Sequence, residues 1–161
     1  INRILSWEPN ARIVLHGVSM GAATVLMASG EDLPENVKVV IADCGYTSEW
    51  DEFQREAETL HIPWFPVLNA TSVLSKVRDG YDFKQASALA QVKKSRIPTL
   101  FIHGSSDELV PYSMLGELYA AAACEKEELT VEGAGHALSS SVAPTLYWRT
   151  VEDFIAKYLD R

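Results

Sequence analysis

A glycine–serine–glycine pattern near the start of the chain constrains the fold more than any other feature. Residues 17–21 read GVSMG and fit the pattern G-x-S-x-G. They follow an apolar run, residues 13–16, that is typical of a buried strand, and they precede residues 22–28, which favour a helix. We expect the two glycines because larger side chains two residues from the serine would clash in so tight a turn. A glycine-rich strand-to-helix turn is the simpler interpretation, but the flanking elements favour a nucleophile elbow that presents Ser19.

Apolar, β-branched runs alternate with helical patterns along the chain. The predicted strands are residues 12–16, 37–42, 98–103 and 128–131, and the predicted helices of the core are residues 20–29, 112–124 and 145–159. We expect the last helix to bury one side made of Leu146, Val151, Phe154, Ile155 and Leu159. The alternation indicates one α/β domain over residues 1–161, with a mostly parallel sheet flanked by helices.

A helical insertion interrupts this alternation at residues 48–90. A charged amphipathic helix is predicted from residue 49 to residue 60, and a second helix from residue 67 to residue 77. The segment is too long for a plain crossover between strands, so we interpret it as a helical lid. Most of its large apolar side chains are expected to pack the lid onto the sheet, with Trp64 and Phe65 retained as candidates for a substrate pocket.

Charge and cysteine content exclude several classes of protein. The 161 residues carry a formal net charge of −8, so a nucleic-acid surface is not expected. Cys44 and Cys124 are too few for a disulfide scaffold, and we expect both to be reduced.

No stretch is long and apolar enough to cross a bilayer, so no membrane segment is predicted. We favour a cytoplasmic location, although the compartment stays open because upstream residues are expected to be missing.

An acid and a base follow the last two predicted strands. Asp107 comes after the third strand and His136 after the fourth. The carboxyl ends of parallel strands open on one edge of the sheet, so Ser19, Asp107 and His136 are expected to converge there. A serine hydroxyl needs a base to take its proton, and a carboxylate must orient that base. The sequence therefore predicts a Ser-His-Asp triad.

Each member of this triad has an alternative interpretation. Asp107 could cap the following helix, and His136 could be an ordinary loop histidine. Asp43, which follows the second strand, is the rival acid. We expect Cys44 to be a packed thiol rather than a nucleophile. The other candidate site histidines, His16 and His103, are expected to be hydrogen-bonded residues near the site, and the histidines show no metal-binding spacing.

Three motifs together resemble the α/β-hydrolase superfamily. They are residues 13–21 with the elbow, residues 100–111 with the acid and residues 133–136 with the base, in the order Ser, Asp, His. The second motif is similar to one in bacterial esterases, acylglycerol lipases and serine aminopeptidase-like members. The resemblance implies a serine hydrolase that cleaves an ester, thioester or amide bond in a small-molecule acyl substrate. It also implies that the reaction passes through an acyl-enzyme and needs no metal or organic cofactor. An acyltransferase on the same scaffold is the alternative within catalysis.

The resemblance also implies that part of the fold lies outside the chain. The N–H of Met20 is the expected first oxyanion donor, and in this family the second comes from a loop of an earlier strand. Only 18 residues precede Ser19, so we expect the chain to hold the last four of eight strands and to lack the N-terminal half. Losing one donor costs about 100-fold to 1000-fold in turnover, so the isolated chain would be weakly active. The alternative to an enzyme is a non-catalytic half-domain whose exposed sheet edge pairs with another chain.

Overall fold

Four parallel strands form one sheet in the computed structural model, which describes residues 1–159. The strands are β1 (Ile13–Val18), β2 (Val37–Asp43), β3 (Thr99–Gly104) and β4 (Lys126–Val131), and they lie in the order β1-β2-β3-β4. All three neighbouring pairs run parallel. The strand predicted at residues 128–131 begins two residues earlier, because Lys126 pairs with Thr99 of β3. The predicted fold class is confirmed.

Eight helices accompany the sheet in the described part of the chain. They are α1 (Asn2–Trp7), α2 (Met20–Ser29), α3 (Glu49–Thr59), α4 (Trp64–Asp79), α5 (Ala88–Val92), α6 (Ser113–Ala121), α7 (Ser139–Val142) and α8 (Pro144–Tyr158). The short helices α5 and α7 were not expected from sequence. Within residues 1–159, no helix combines the length and apolar character needed to span a membrane.

The core lies in two apolar layers, one on each face of the sheet. Val40 and Ala42 of β2 face a cluster that includes Leu26 of α2. Val39 and Ile41 face the opposite cluster, which contains the side chains of α8. Successive residues of a strand point to opposite faces, so a continuous apolar run is what a central parallel strand buried on both sides requires.

The buried side of α8 differs from the prediction, because Leu146 is exposed and Ile155 and Leu159 are only partly buried. Leu146 is 50% exposed, whereas Tyr147 is 1% exposed and lies in the core. The buried residues of the helix are Tyr147, Val151, Phe154 and Tyr158. This stripe has the i, i+4, i+7, i+11 spacing of a single helix face, and Leu146 lies about 100° around the helix from its centre.

The two ends of the helical insertion are hydrogen-bonded to each other. Glu49 N–H donates to the Ala86 carbonyl at 3.0 Å, and Leu89 N–H donates to the Thr47 carbonyl at 2.9 Å. The Ser48 hydroxyl accepts the Asp51 N–H at 3.0 Å and caps α3. Helices α3 and α4 therefore extend from a closed base, whose position is fixed by backbone bonds.

Candidate active site

Ser19 occupies a strained turn between β1 and α2. Its backbone has a φ of 56° and a ψ of −118°, a conformation that non-glycine residues rarely adopt. Its N–H donates to the carbonyl of Asp43 at 2.8 Å, which ties the turn to the end of β2. A Cβ added at Gly17 would lie 2.1 Å from the carbonyl oxygen of Gly21, so no side chain fits at position 17. This is the close backbone approach expected of a nucleophile elbow.

The expectation that Gly21 is also required for space is wrong. In the part of the chain that the structure describes, no atom lies within 4 Å of a Cβ built on Gly21, apart from its chain neighbours and the backbone of its own helix. The carbonyl oxygen of Gly21 leaves no room for a side chain at position 17. A side chain at position 21 would point in another direction and would not meet the backbone of Gly17.

The structure brings Ser19, His136 and Asp107 together in one hydrogen-bonded chain. Ser19 Oγ lies 2.7 Å from His136 Nε2, and His136 Nδ1 lies 2.8 Å from Asp107 Oδ2. Gly104 allows this convergence, since a Cβ there would lie 2.3 Å from the carbonyl oxygen of Ala134. The loops after β3 and β4 therefore pass close enough for their side chains to meet.

The carboxylate of Asp107 is fully buried and is hydrogen-bonded at both oxygens. Oδ1 accepts the N–H groups of Leu109 at 3.0 Å and Val110 at 2.9 Å. Oδ2 faces His136 and lies 3.4 Å from His103 Nε2, which is also 3.0 Å from the Val110 carbonyl. Asp107 closes its own loop in this way and does not cap α6, whose N-cap is Tyr112.

Asp43, the alternative acid, has other partners. Its Oδ1 accepts the Ser139 hydroxyl at 2.9 Å, and its carboxylate is also hydrogen-bonded by Tyr147. Burial raises the pKa of Asp43 above its ordinary value, and these hydrogen bonds oppose the rise.

His16 is hydrogen-bonded as expected, because its Nε2 lies 3.0 Å from the Tyr147 hydroxyl. Burial lowers the pKa of His16, with Asp43 acting in the opposite direction.

Cys44 is buried next to the Asp107–His136 pair. Burial, with a smaller contribution from Asp43, raises the pKa of its thiol to about 12, so the thiol is protonated at neutral pH. Possible ligand atoms of Cys44, Asp107 and His136 lie within 4.8 Å of one another. Both imidazole nitrogens of His136 are already hydrogen-bonded to Ser19 and Asp107, so a metal ion held there would displace these contacts.

Met20 is the first residue of α2, and its side chain is 70% exposed. The first N–H groups of a helix have no partner within the helix, and the helix dipole adds partial positive charge there. The backbone N–H of Met20 therefore lies at the positively polarised end of α2, directly after Ser19.

Helices α3 and α4 enclose an apolar groove of about 280 Å³. Its lining residues are Phe53, Glu56, Ala57, Leu60, Ile62, Trp64, Val67, Leu68, Thr71 and Phe83. Trp64 therefore lies in a groove wall, whereas Phe65 is 67% exposed and is not part of the lining. The backbone explains the difference, because Phe65 is non-helical and turns the chain immediately after Trp64.

Two charged residues near the triad were missed by sequence reasoning. Arg55 Nη2 donates to the carbonyl of Leu109 in the loop that carries Asp107. Burial raises the pKa of Glu52, and the charges of Arg55 and His136 oppose the rise. Their i, i+3 spacing on a charged helix is typical of solvent-exposed pairs, so the sequence gives little signal of a site.

Solved structures of esterases and peptidases share this fold. An esterase of Pyrococcus furiosus superimposes with a TM-score of 0.69 at 20% identity, over 98% of this chain and 58% of that chain. The acylaminoacyl peptidase of Pyrococcus horikoshii gives a TM-score of 0.67 at 17% identity, over 99% of this chain and 26% of that chain. These likenesses show the α/β-hydrolase fold.

Curated relatives extend the similarity to sequence. The uncharacterized protein YqkD of Bacillus subtilis is 33% identical over 96% of this chain and 53% of its own length. The alpha/beta hydrolase domain-containing protein WAV2 of Arabidopsis thaliana is 30% identical over 92% of this chain and 48% of its own length. The chain spans about half the length of these relatives. Its residues 6–161 match the sequence pattern of a family that is described as the prolyl oligopeptidase family. Because this match covers nearly the whole sequence, the chain belongs to the prolyl oligopeptidase family.

Proposed function

We propose that this chain carries the catalytic triad of a serine hydrolase that cleaves an ester, thioester or amide. One observation supports the proposal above all others, namely the continuous hydrogen-bond path from Ser19 through His136 to Asp107, with distances of 2.7 and 2.8 Å. Nucleophile, base and orienting acid are each within the range that acyl transfer needs.

The proposed reaction has two halves. Ser19 Oγ attacks the substrate carbonyl while His136 Nε2 takes its proton, and Asp107 holds the imidazole with Nδ1 protonated. His136 then returns the proton to the leaving alcohol, thiol or amine, and an acyl-enzyme remains on Ser19. Water, activated by His136, releases the acid. The N–H of Met20 donates to the oxyanion in both halves.

We further propose that the chain is the C-terminal portion of a longer hydrolase. Relatives about twice as long support this, as does the position of β1 at an edge of the described sheet. Helix α1 has no buried residue, and Ile4 and Trp7 are exposed. The rest of the protein, or a partner chain, would cover these surfaces and supply the second oxyanion donor.

The helical insertion is proposed to act as a lid with an acyl-binding groove. The groove between α3 and α4 is lined mainly by apolar side chains, Trp64 among them. Ligand pockets are commonly apolar concavities with a few polar groups, and this groove has Glu56 and Thr71. An apolar acyl group is the substrate part that suits such a lining.

A fluorophosphonate probe tests the proposed function in the complete protein. We expect covalent labelling at Ser19 that disappears in His136→Ala and persists in His61→Ala, whose histidine is exposed on the insertion. Absence of labelling in the folded complete protein would contradict catalysis and favour a binding role. If acyl groups pass to an added alcohol faster than to water, the protein is an acyltransferase on the same scaffold.

A further inference from the structure

One peptide unit of the acid loop is held at both of its polar ends. This unit joins Leu109 to Val110. Its N–H donates to Asp107 Oδ1 at 2.9 Å, and its carbonyl accepts a hydrogen bond from the guanidinium of Arg55 on α3. A cation at the carbonyl polarises the peptide and strengthens its N–H as a donor. Arg55 therefore acts, through this unit, on the carboxylate that faces His136.

Arg55 is in turn held by Glu52. Arg55 Nε lies 3.7 Å from Glu52 Oε2. Both atoms are buried, and the charge of Arg55 opposes the effect of burial on the Glu52 carboxylate. In a partly buried setting this attraction is stronger than on an open surface. The N-terminus of α3 is fixed by the Ser48 cap, so Arg55 projects from a positioned helix.

We propose that Arg55 is a positioning residue for Asp107 and that Glu52 anchors it, which couples the helical insertion to the triad. This inference rests on the proposed function. Arg55 does not touch substrate or reacting atoms. It fixes the 109–110 peptide, and that peptide fixes Asp107, which orients His136 for proton transfer.

The test compares Arg55→Met, Arg55→Lys and Arg149→Met in the complete protein. Arg149 pairs with Asp153 at 3.8 Å on the exposed side of α8 and is the matched control. We expect Arg55→Met to lower kcat by about 10-fold to 100-fold, since small misplacements far from the reacting atoms can cost about 100-fold. KM should not change. Arg55→Lys keeps the positive charge, so it should restore part of the lost kcat. Arg149→Met should behave as the wild type.

Two further measurements separate positioning from general damage. Glu52→Gln combined with Arg55→Met should melt at a higher temperature than Arg55→Met alone, because the unopposed buried carboxylate is gone, while kcat stays low. The downfield proton resonance of the His136–Asp107 hydrogen bond should weaken in Arg55→Met. Wild-type kcat in folded Arg55→Met, or a change in KM alone, would overturn the inference. A wild-type protein that the fluorophosphonate probe does not label would instead overturn the proposed function.

Discussion

The backbone N–H of Ser19 donates to the main-chain carbonyl of Asp43 at 2.8 Å. This bond extends the pairing of β1 with β2, which ends at Val18 and Asp43, into the strained turn. The side chain of Asp43 is occupied by Ser139 on the other side. Asp43 thus supports the elbow through its backbone, and Asp107 contacts the imidazole.

The two aspartates should respond differently to the same substitution. Asp107→Asn is expected to lower kcat by about 10,000-fold, because an amide at this position favours the wrong imidazole tautomer. Asp43→Asn keeps an oxygen acceptor for Ser139 and should retain most of kcat. Steady-state kinetics on a chromogenic ester measure both values. A larger loss in Asp43→Asn than in Asp107→Asn would make Asp43 the catalytic acid.

Asp43 should also give a defined pH dependence of stability. Its pKa is raised in the folded state from an ordinary value of 3.8, so the folded protein binds the proton more tightly than the unfolded chain. The carboxylate is therefore destabilising, and this effect grows as pH rises from about 4 through the folded pKa and then levels off.

Urea unfolding of wild type and Asp43→Asn measures this effect between pH 4 and pH 7. The free energy of unfolding of the variant, relative to the wild type, should increase with pH over that range. A difference that is constant with pH would show that the Asp43 pKa is equal in the folded and unfolded states.

The glycines of the elbow should differ in their tolerance of alanine. Gly17→Ala places a methyl group 2.1 Å from the backbone oxygen of Gly21, which cannot rotate away as a side chain can. We expect a loss of about 3 kcal/mol in the free energy of unfolding, the upper end of common overpacking penalties. Gly21→Ala is the control and should change stability by no more than about 1 kcal/mol, in the stabilising direction, because alanine favours α2. Equal losses in thermal melts would contradict the close approach.

Filling the groove should change the acyl chain length that the protein accepts. Ala57→Trp puts an indole among the lining residues, while Ala70→Trp puts the same group on the outer side of α4. For a long-chain ester, kcat/KM should fall at least about tenfold in Ala57→Trp, and for an acetyl ester it should not change. Ala70→Trp should match the wild type for both esters. Identical chain-length profiles in all three proteins would place the acyl group elsewhere.

Much of the fold could be predicted because its signals are local. The elbow combines two glycines with a strand and a helix that adjoin it directly in sequence, and α2 was predicted over the residues it occupies. Position after a strand end placed Asp43, Asp107 and His136 at the same edge of the sheet as Ser19, but it did not choose between the two aspartates. The bounds of β4 and the phase of α8 were less accurate, because pairing with β3 and packing against the sheet decide them.

By itself, the sequence determined which chemical groups are present and the alternation of strands and helices, since side-chain periodicity and turn chemistry act over a few residues. Only the tertiary structure decided which carboxylate faces His136, that Trp64 and not Phe65 lines the groove, and that Arg55 reaches Leu109 across 54 residues. These relationships depend on distances between segments far apart in the chain. Sheet register and helix packing set those distances, and no local pattern encodes them.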